Sequence, residues 1–249
     1  MKTGPVSGPA EGVGGSPDSP SLGVIGTDHE AARRREEIRR RSIARYALRA
    51  HQYDQSCGRT WSIRETAVAN LGLQPGDRVL DVGCGTGLSF ALLRDAVGDT
   101  GMVYGVEQSP DMAAQALARI SREGWRNVQL FESSADRLRL PEQVDALLFN
   151  YTHDICQCPD SLASLFALAR EDARISLAGV KYLPWWAGPV NLYVYFKNAA
   201  YNGAPGGLWR PWRHVLKWVP DLELSSAQYG MAYLGHGRLR HRAGGADRG

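Results

Sequence analysis

The 249-residue chain has only four cysteines, Cys57, Cys84, Cys156 and Cys158. Their number and spacing offer neither a disulfide framework nor a paired Cys-x-x-Cys zinc site, so the expectation is a reducing setting, free thiols and no metal. Long apolar runs are missing too. No stretch of about 18 apolar residues could cross a bilayer, and nothing after Lys2 forms the apolar core of a signal peptide. A soluble cytoplasmic protein with no membrane partner is expected. The formal charge is small, +3. The basic excess sits at the ends, in Arg33, Arg34, Arg35, Arg39, Arg40 and Arg41 and again in Arg238, Arg240 and Arg242. Without a strong central basic field, nucleic acid is not an expected partner. There is no internal repeat, and the length suits one sizeable core.

Residues 1–28 are rich in Gly, Pro and Ser and poor in large apolar side chains, so they cannot offset their ordering entropy and are expected to form a disordered tail. Over 29–50 Ile38, Ile43, Tyr46 and Ala47 recur at roughly helical spacing among arginines, which predicts an amphipathic helix with a solvated basic face. A second helix is expected over 61–71, ending at Gly72. From there strand signals at 78–82, 102–107, 127–132, 144–150 and 174–182 alternate with helical signals at 88–97, 110–123 and 161–170. That alternation predicts right-handed crossovers and a doubly wound, mostly parallel α/β sheet. It stops after Tyr182. An aromatic-rich stretch, 183–219, follows, and then two strand-like runs, 222–227 and 231–234, read as a C-terminal β-hairpin turning near Tyr229 and Gly230. The expected organisation is one domain over 29–237 with seven strands, a helical aromatic cap at 183–219 and a flexible basic tail at 238–249.

The most informative segment is Val79-Leu80-Asp81-Val82-Gly83-Cys84-Gly85-Thr86-Gly87, between the first strand and the next helix. Glycines there allow a sharp turn and close approach of a ligand, while the helix N-terminus offers N–H donors. The spacing is Gly-x-Gly-x-Gly with an acid two positions before the first Gly, unlike the Gly-x-Gly-x-x-Gly dinucleotide fingerprint. With this motif the chain resembles the class I methyltransferases that use S-adenosyl-L-methionine (SAM), and the element order follows that family over about 44–234. The resemblance implies a Rossmann-like fold with SAM as cofactor. It implies that Asp81 helps hold the methionine amino group, that Gly83, Gly85 and Gly87 pass beneath the ligand, and that Glu107, ending the second strand, accepts from the ribose hydroxyls. Asp136, in Ser134-Ala135-Asp136 after the third strand, falls where the family has an acid near the adenine amine. Taken singly, Asp81 reads equally as a loop-end carboxylate, Glu107 as a cap partner and Asp136 as a turn cap.

Ligands of doubly wound sheets bind at the carboxyl ends of the strands, so Asn150-Tyr151-Thr152-His153-Asp154 should face the reacting atoms. His153 is a candidate general base or, equally, a structural histidine bonded to a loop carbonyl. Asn150 and Tyr151 complete the catalytic candidates, and Asn150 also counts among the cofactor contacts. Asp154 is expected to cap the following turn. Asn150 starts like the Asn-Pro-Pro-Tyr motif of methyltransferases acting on amide or adenine nitrogen, but Tyr151 and Thr152 replace the prolines, which argues against those acceptors. Tyr46, His51 and Tyr53 occupy the position of an N-terminal lid, with Tyr53 a candidate cofactor contact through its aromatic face. The aromatics of 183–219 are expected either to line an acceptor pocket or to cover the sheet, with Lys181, Asn191 and Arg210 as polar candidates to orient a substrate. The resulting expectation is methyl transfer to a small-molecule acceptor. One alternative is a SAM-cyclising enzyme giving azetidine-2-carboxylate and methylthioadenosine; another is a non-catalytic SAM-binding module.

Overall fold

Val79, Leu80, Asp81 and Val82 are all buried, as a strand covered on both faces requires, and they form β1 (Arg78–Val82) at the middle of the sheet. The computed structural model describes residues 57–198 and 205–240, with Arg33 and Glu37 besides. By its contacts the chain divides into Met1–Glu37 and Ile38–Gly249; of the first only the helical, exposed Arg33 and Glu37 are described, and the fold is that of the second. The expected 1–28 tail, the 29–50 helix apart from Arg33 and Glu37, and the aromatic lid of Tyr46, His51 and Tyr53 lie outside the described residues.

The chain continues through α1 (Trp61–Ala69), which precedes β1, then α2 (Phe90–Val97), β2 (Met102–Glu107), α3 (Pro110–Glu123), β3 (Val128–Glu132) and β4 (Val144–Asn150). The short α4 (His153–Cys156), α5 (Pro159–Phe166), β5 (Ala169–Val180), α6 (Gly188–Asn198), β6 (Glu223–Ala227) and β7 (Ala232–Arg238) follow. Local signals explain several boundaries. α3 has Pro110 in its first turn and ends at Gly124, whose left-handed backbone (φ 66°, ψ 25°) suits a glycine C-cap. α3 turns Met112, Ala113 and Ala116 inward.

The seven strands lie in the order β3-β2-β1-β4-β5-β7-β6. β1 to β5 are parallel, and β7 runs antiparallel between β5 and β6. This is the expected mostly parallel Rossmann-like sheet with a C-terminal hairpin. A core lies on each face: α1 and α2 contribute to one with Ile63, Val68, Phe90 and Leu93, and α5 to the other with Leu162, Leu165 and Phe166. Trp212, Val215, Trp218 and Val219 pack into that second core, so part of the aromatic cap covers the sheet.

Two boundaries differ from expectation. The helix predicted over 161–170 stops at Phe166, and the chain is in β5 by Ala169, which is fully buried and pairs with Val144. Arg170, Glu171 and Asp172 disguise this strand start because they protrude, with Asp172 at φ 64°. The first residues of the expected 238–249 tail pack on the sheet. Arg238 ends β7, Leu239 is fully buried, and Leu239 exchanges backbone bonds with residues beside it: its N–H donates to Ala173 (2.8 Å) and its carbonyl accepts from Asp172 (3.2 Å). Arg238 and Arg240 both reach the Asp172 carboxylate at 2.6 Å.

These contacts make a truncation informative. A chain ending at Arg238 loses the buried Leu239 side chain, and deleting a large buried aliphatic group costs about 2 kcal/mol or more. It should melt several degrees below a chain ending at Arg240 in differential scanning calorimetry. Equal midpoints would show that Leu239 adds nothing to the fold.

Candidate active site

The glycine turn leaves β1 at its carboxyl end. Gly83, Gly85 and Gly87 all have positive φ, at 62°, 58° and 76°. Gly85 matters most: a Cβ there would meet nothing within 4 Å, so its backbone is open to close approach, and its left-handed φ favours glycine. The turn is pinned by Cys84 N–H to the Val106 carbonyl (3.0 Å) and by Gly85 N–H to Glu107 Oε2 (3.0 Å). Glu107 Oε1 also accepts from Ser109 N–H at 2.8 Å. Burial pushes the Glu107 carboxyl up, while the N–H groups of Ser109, Gly85 and Gln108 favour its charged form. Three N–H donors leave the carboxylate, with about four lone-pair sites, room to accept one more hydrogen bond.

Beneath the turn lies a residue that the sequence reading passed over. Arg64 sits on the inner face of α1, next to Ile63 and one helical turn from Ala67 and Val68, and is 5% exposed. Its Nη1 donates to Ser89 Oγ at 2.7 Å, and Ser89 in turn bonds the Asp81 carboxylate. No carboxylate of a described residue comes within salt-bridge distance of Arg64, and its Nε has no partner. Asp81 is 2% exposed and its Oδ2 is also unpartnered. Burial lifts the Asp81 carboxyl to about 7, with Arg64 and Ser89 pulling the other way. Two opposite charges are thus buried near each other without touching. The only sequence signal for Arg64 was a charged residue at a core position of an amphipathic helix.

β4 ends at Asn150, whose amide is buried with neither Oδ1 nor Nδ2 partnered. Since Val82 pairs with Phe149, Asn150 lies beside the start of the glycine turn. Tyr151 then takes a left-handed backbone, φ 62°, unusual for a bulky residue, with its N–H donating to the Ala178 carbonyl at 2.8 Å. His153 follows, and the structure ties it down. Its Nε2 lies 2.9 Å from the Val180 N–H and 3.2 Å from the Val180 carbonyl; accepting from the shorter N–H contact places the ring proton on Nδ1, and a bond joins the ring to the Tyr151 backbone. Gly179 makes room: a Cβ there would stand 2.6 Å from Nε2. Burial holds the imidazole down to about 4. His153 therefore braces the end of β4 against the end of β5 as a neutral ring.

The other candidates separate. Asp136 lies exposed in a turn closed by Arg137 N–H to the Ser134 carbonyl (3.0 Å). Asn191 accepts from Leu183 N–H (2.8 Å) and donates to the Leu183 carbonyl (2.9 Å), so it fastens α6 to the exit of β5 rather than facing outward. Lys181 is half-buried and Arg210 exposed. Among the described residues no group of His, Cys, Asp and Glu could hold a metal ion, and Cys84, Cys156 and Cys158 are free. Burial pushes the Cys156 thiol up to about 12, which keeps it unreactive. No described helix is long and apolar enough to cross a membrane.

Residues 79–171, from β1 into β5, match the family described as "Methyltransferase domain". Over that segment the chain is similar to a methyltransferase domain, and its sheet is Rossmann-like. The chain is 46% identical over 58 residues to protein-L-isoaspartate O-methyltransferase of Aeropyrum pernix, covering 23% of this chain and 22% of that protein. It is 30% identical over 90 residues to aklanonic acid methyltransferase DauC of a Streptomyces species, covering 36% and 40%. The chain thus spans well under half the length of these curated relatives. Its fold is that of the N-methyltransferase NodS from Bradyrhizobium japonicum, with a TM-score of 0.53 at 13% identity over 74% of this chain and 98% of that one. The matched segment holds the glycine turn, Glu107, Asp136 and the loop after β4; it stops before the aromatic cap and begins after Arg64.

Proposed function

We propose that this protein is a SAM-dependent methyltransferase acting on a small-molecule acceptor. The observation that carries the reading is the pair of buried, non-touching charges, Asp81 and Arg64, under a glycine turn whose β2 neighbour is the doubly accepting Glu107. Isolated buried charges are costly unless paired, and the amino-acid end of SAM is a zwitterion carrying an ammonium and a carboxylate on one carbon. Asp81 would take the ammonium and Arg64 the carboxylate. Glu107 would accept from the ribose hydroxyls, and Asp136, in its exposed turn, would approach the adenine amine. The unpartnered Asn150 amide, able both to donate and to accept, would complete the wall on the β4 side.

Bound SAM supplies a methyl group on a positively charged sulfur, open to in-line displacement by an acceptor lone pair. The chain's task is then alignment and exclusion of water. Tyr151, held in its left-handed conformation, and Asn150 form the strand-end surface against which the acceptor would be aligned, with His153 fixing that surface from behind. A neutral imidazole titrating near 4 is a poor base at neutral pH, so His153 is a positioning residue in this reading. The relatives' names point to different acceptors, L-isoaspartate in protein and aklanonic acid. That divergence is in keeping with a match confined to the cofactor half.

Identification of the product nucleoside by mass spectrometry tests the proposal. SAM alone should be nearly inert with the protein, and an added acceptor should yield S-adenosylhomocysteine and a methylated product. Enzyme-dependent methylthioadenosine from SAM alone would replace methyl transfer by cyclisation. Tight SAM binding with no product from any acceptor would favour a binding module.

A further inference from the structure

Between Asp172 and Asp221 the chain contains no acidic residue, yet residues 181–220 hold five Lys or Arg and five of the seven tryptophans. Only part of this aromatic content is used to fill the core: Trp212 packs on Tyr233 with ring centres 4.9 Å apart, and Trp218 on Phe166 at 5.4 Å. Most of the other described rings face outward. Trp185 is 82% and Trp186 71% exposed, and Leu192, Tyr193, Phe196 and Trp209 are exposed as well. α6 is held by the Asn191 clasp and by one buried side chain, Val194. Some of these rings meet one another: Trp209 meets Tyr182 at 5.2 Å, Tyr195 acts electrostatically on Tyr182, and Tyr195 meets Phe196 at 5.4 Å. Exposed Arg210, Arg213 and Lys217 follow Trp209 in the same acid-free segment.

An apolar patch of this size marks a contact surface. Exposed aromatic and aliphatic tips in a segment whose charged residues are all basic complement a phosphate-bearing lipid surface: rings such as Trp and Tyr favour the boundary between headgroups and acyl chains, and Lys and Arg favour anionic headgroups. We propose that the face built by Trp185, Trp186 and α6 docks on anionic lipid bilayers. Surface docking of this kind needs no helix long and apolar enough to cross the bilayer, and no described helix is. The patch starts a few residues beyond Val180, where His153 grips the end of β5, so docking would bring the strand ends up to the lipid and favour acceptors dissolved in it. Lipid docking does not depend on which molecule is methylated, and it is measured without turnover.

Flotation of the full chain with vesicles tests it. Vesicles containing about one third phosphatidylglycerol should bind the protein about tenfold or more tightly than phosphatidylcholine alone, with the difference shrinking at high salt. Brominated acyl chains should quench tryptophan fluorescence. The double variant Trp185→Ser/Trp186→Ser, altered only at exposed positions, should lose about tenfold or more in vesicle binding while S-adenosylhomocysteine affinity, read by calorimetry, is unchanged. Three results overturn the proposal. One is no binding to the anionic vesicles. Another is undiminished binding by the double variant, which would assign it to the arginine-rich N-terminal stretch instead. The third is a dimer in sedimentation that the double variant abolishes, with wild type indifferent to lipid, which would make the face a contact between two copies.

Discussion

Replacing Arg64 by Met should weaken S-adenosylhomocysteine binding by about tenfold or more and leave methylthioadenosine binding unchanged. The two ligands share the adenosine and sulfur, but only the first carries the amino-acid group that Arg64 and Asp81 would meet. Loss of a charge-assisted hydrogen bond is worth about 1.5–3 kcal/mol, hence the tenfold expectation. Met suits the test because it fills similar volume, and replacing a buried charge by an apolar side chain is often neutral or stabilising for the fold. Asp81→Asn should show the same selectivity. The wild type should also show a pH dependence with a fixed sign. The Asp81 carboxyl titrates near 7 in the unliganded fold, and the ligand ammonium favours its charged form. Affinity should therefore fall as pH drops below about 7, by at most about tenfold per unit, and this slope should vanish in Asp81→Asn. Calorimetric titrations with both ligands across that range decide the matter. Equal losses for both ligands would mean that Arg64 supports the turn and touches no amino-acid group. No binding of either ligand by wild type would remove the cofactor assignment itself.

The glycine turn and the strand end at Glu107 were legible in the sequence because their signals are local. The turn from Gly83 to Gly87 has an acid at a fixed offset, and Glu107 ends a six-residue strand whose bounds the pattern gave directly. What escaped was non-local. Arg64 comes into play only when α1 packs against α2 and brings its guanidinium to Ser89, 25 positions away in the chain. The early start of β5 was hidden by three charged residues that read as the solvated end of a helix, although they protrude at a register shift between β4 and β5. The docking of Leu239 depended on a strand partner, Ala173, that no spacing rule could supply. The aromatic cap was visible as composition. Which rings turn inward, such as Trp212 and Trp218, and which face out, such as Trp185 and Trp186, followed only from packing.

His153→Ala should lower the stability of the fold by about 2–4 kcal/mol, because it leaves the Val180 N–H without its acceptor and opens a cavity beside Gly179. The pH dependence of that loss distinguishes this role from a surface one. Unfolded histidine takes up its proton near 6.5, whereas the folded ring resists protonation down to about 4. The folded state thus binds fewer protons than the unfolded state between those values, and the stabilisation from His153 is lost as pH falls through that window. The gap in melting temperature between wild type and His153→Ala should be widest above pH 6.5 and narrow towards pH 4. Taking the gap as a difference cancels the opposite contribution of Asp81, whose raised carboxyl is present in both proteins. His153→Gln, with an amide oxygen able to accept from Val180, should recover part of the stability. Turnover then separates brace from base. A general base is worth about 10²–10⁴-fold, and its loss persists at any temperature where the variant is folded. A brace predicts that, well below its melting point, His153→Ala keeps its rate to within about tenfold and that His153→Gln restores most of it. A thousandfold loss in a stably folded variant, unrelieved by Gln, would return His153 to the role of proton acceptor.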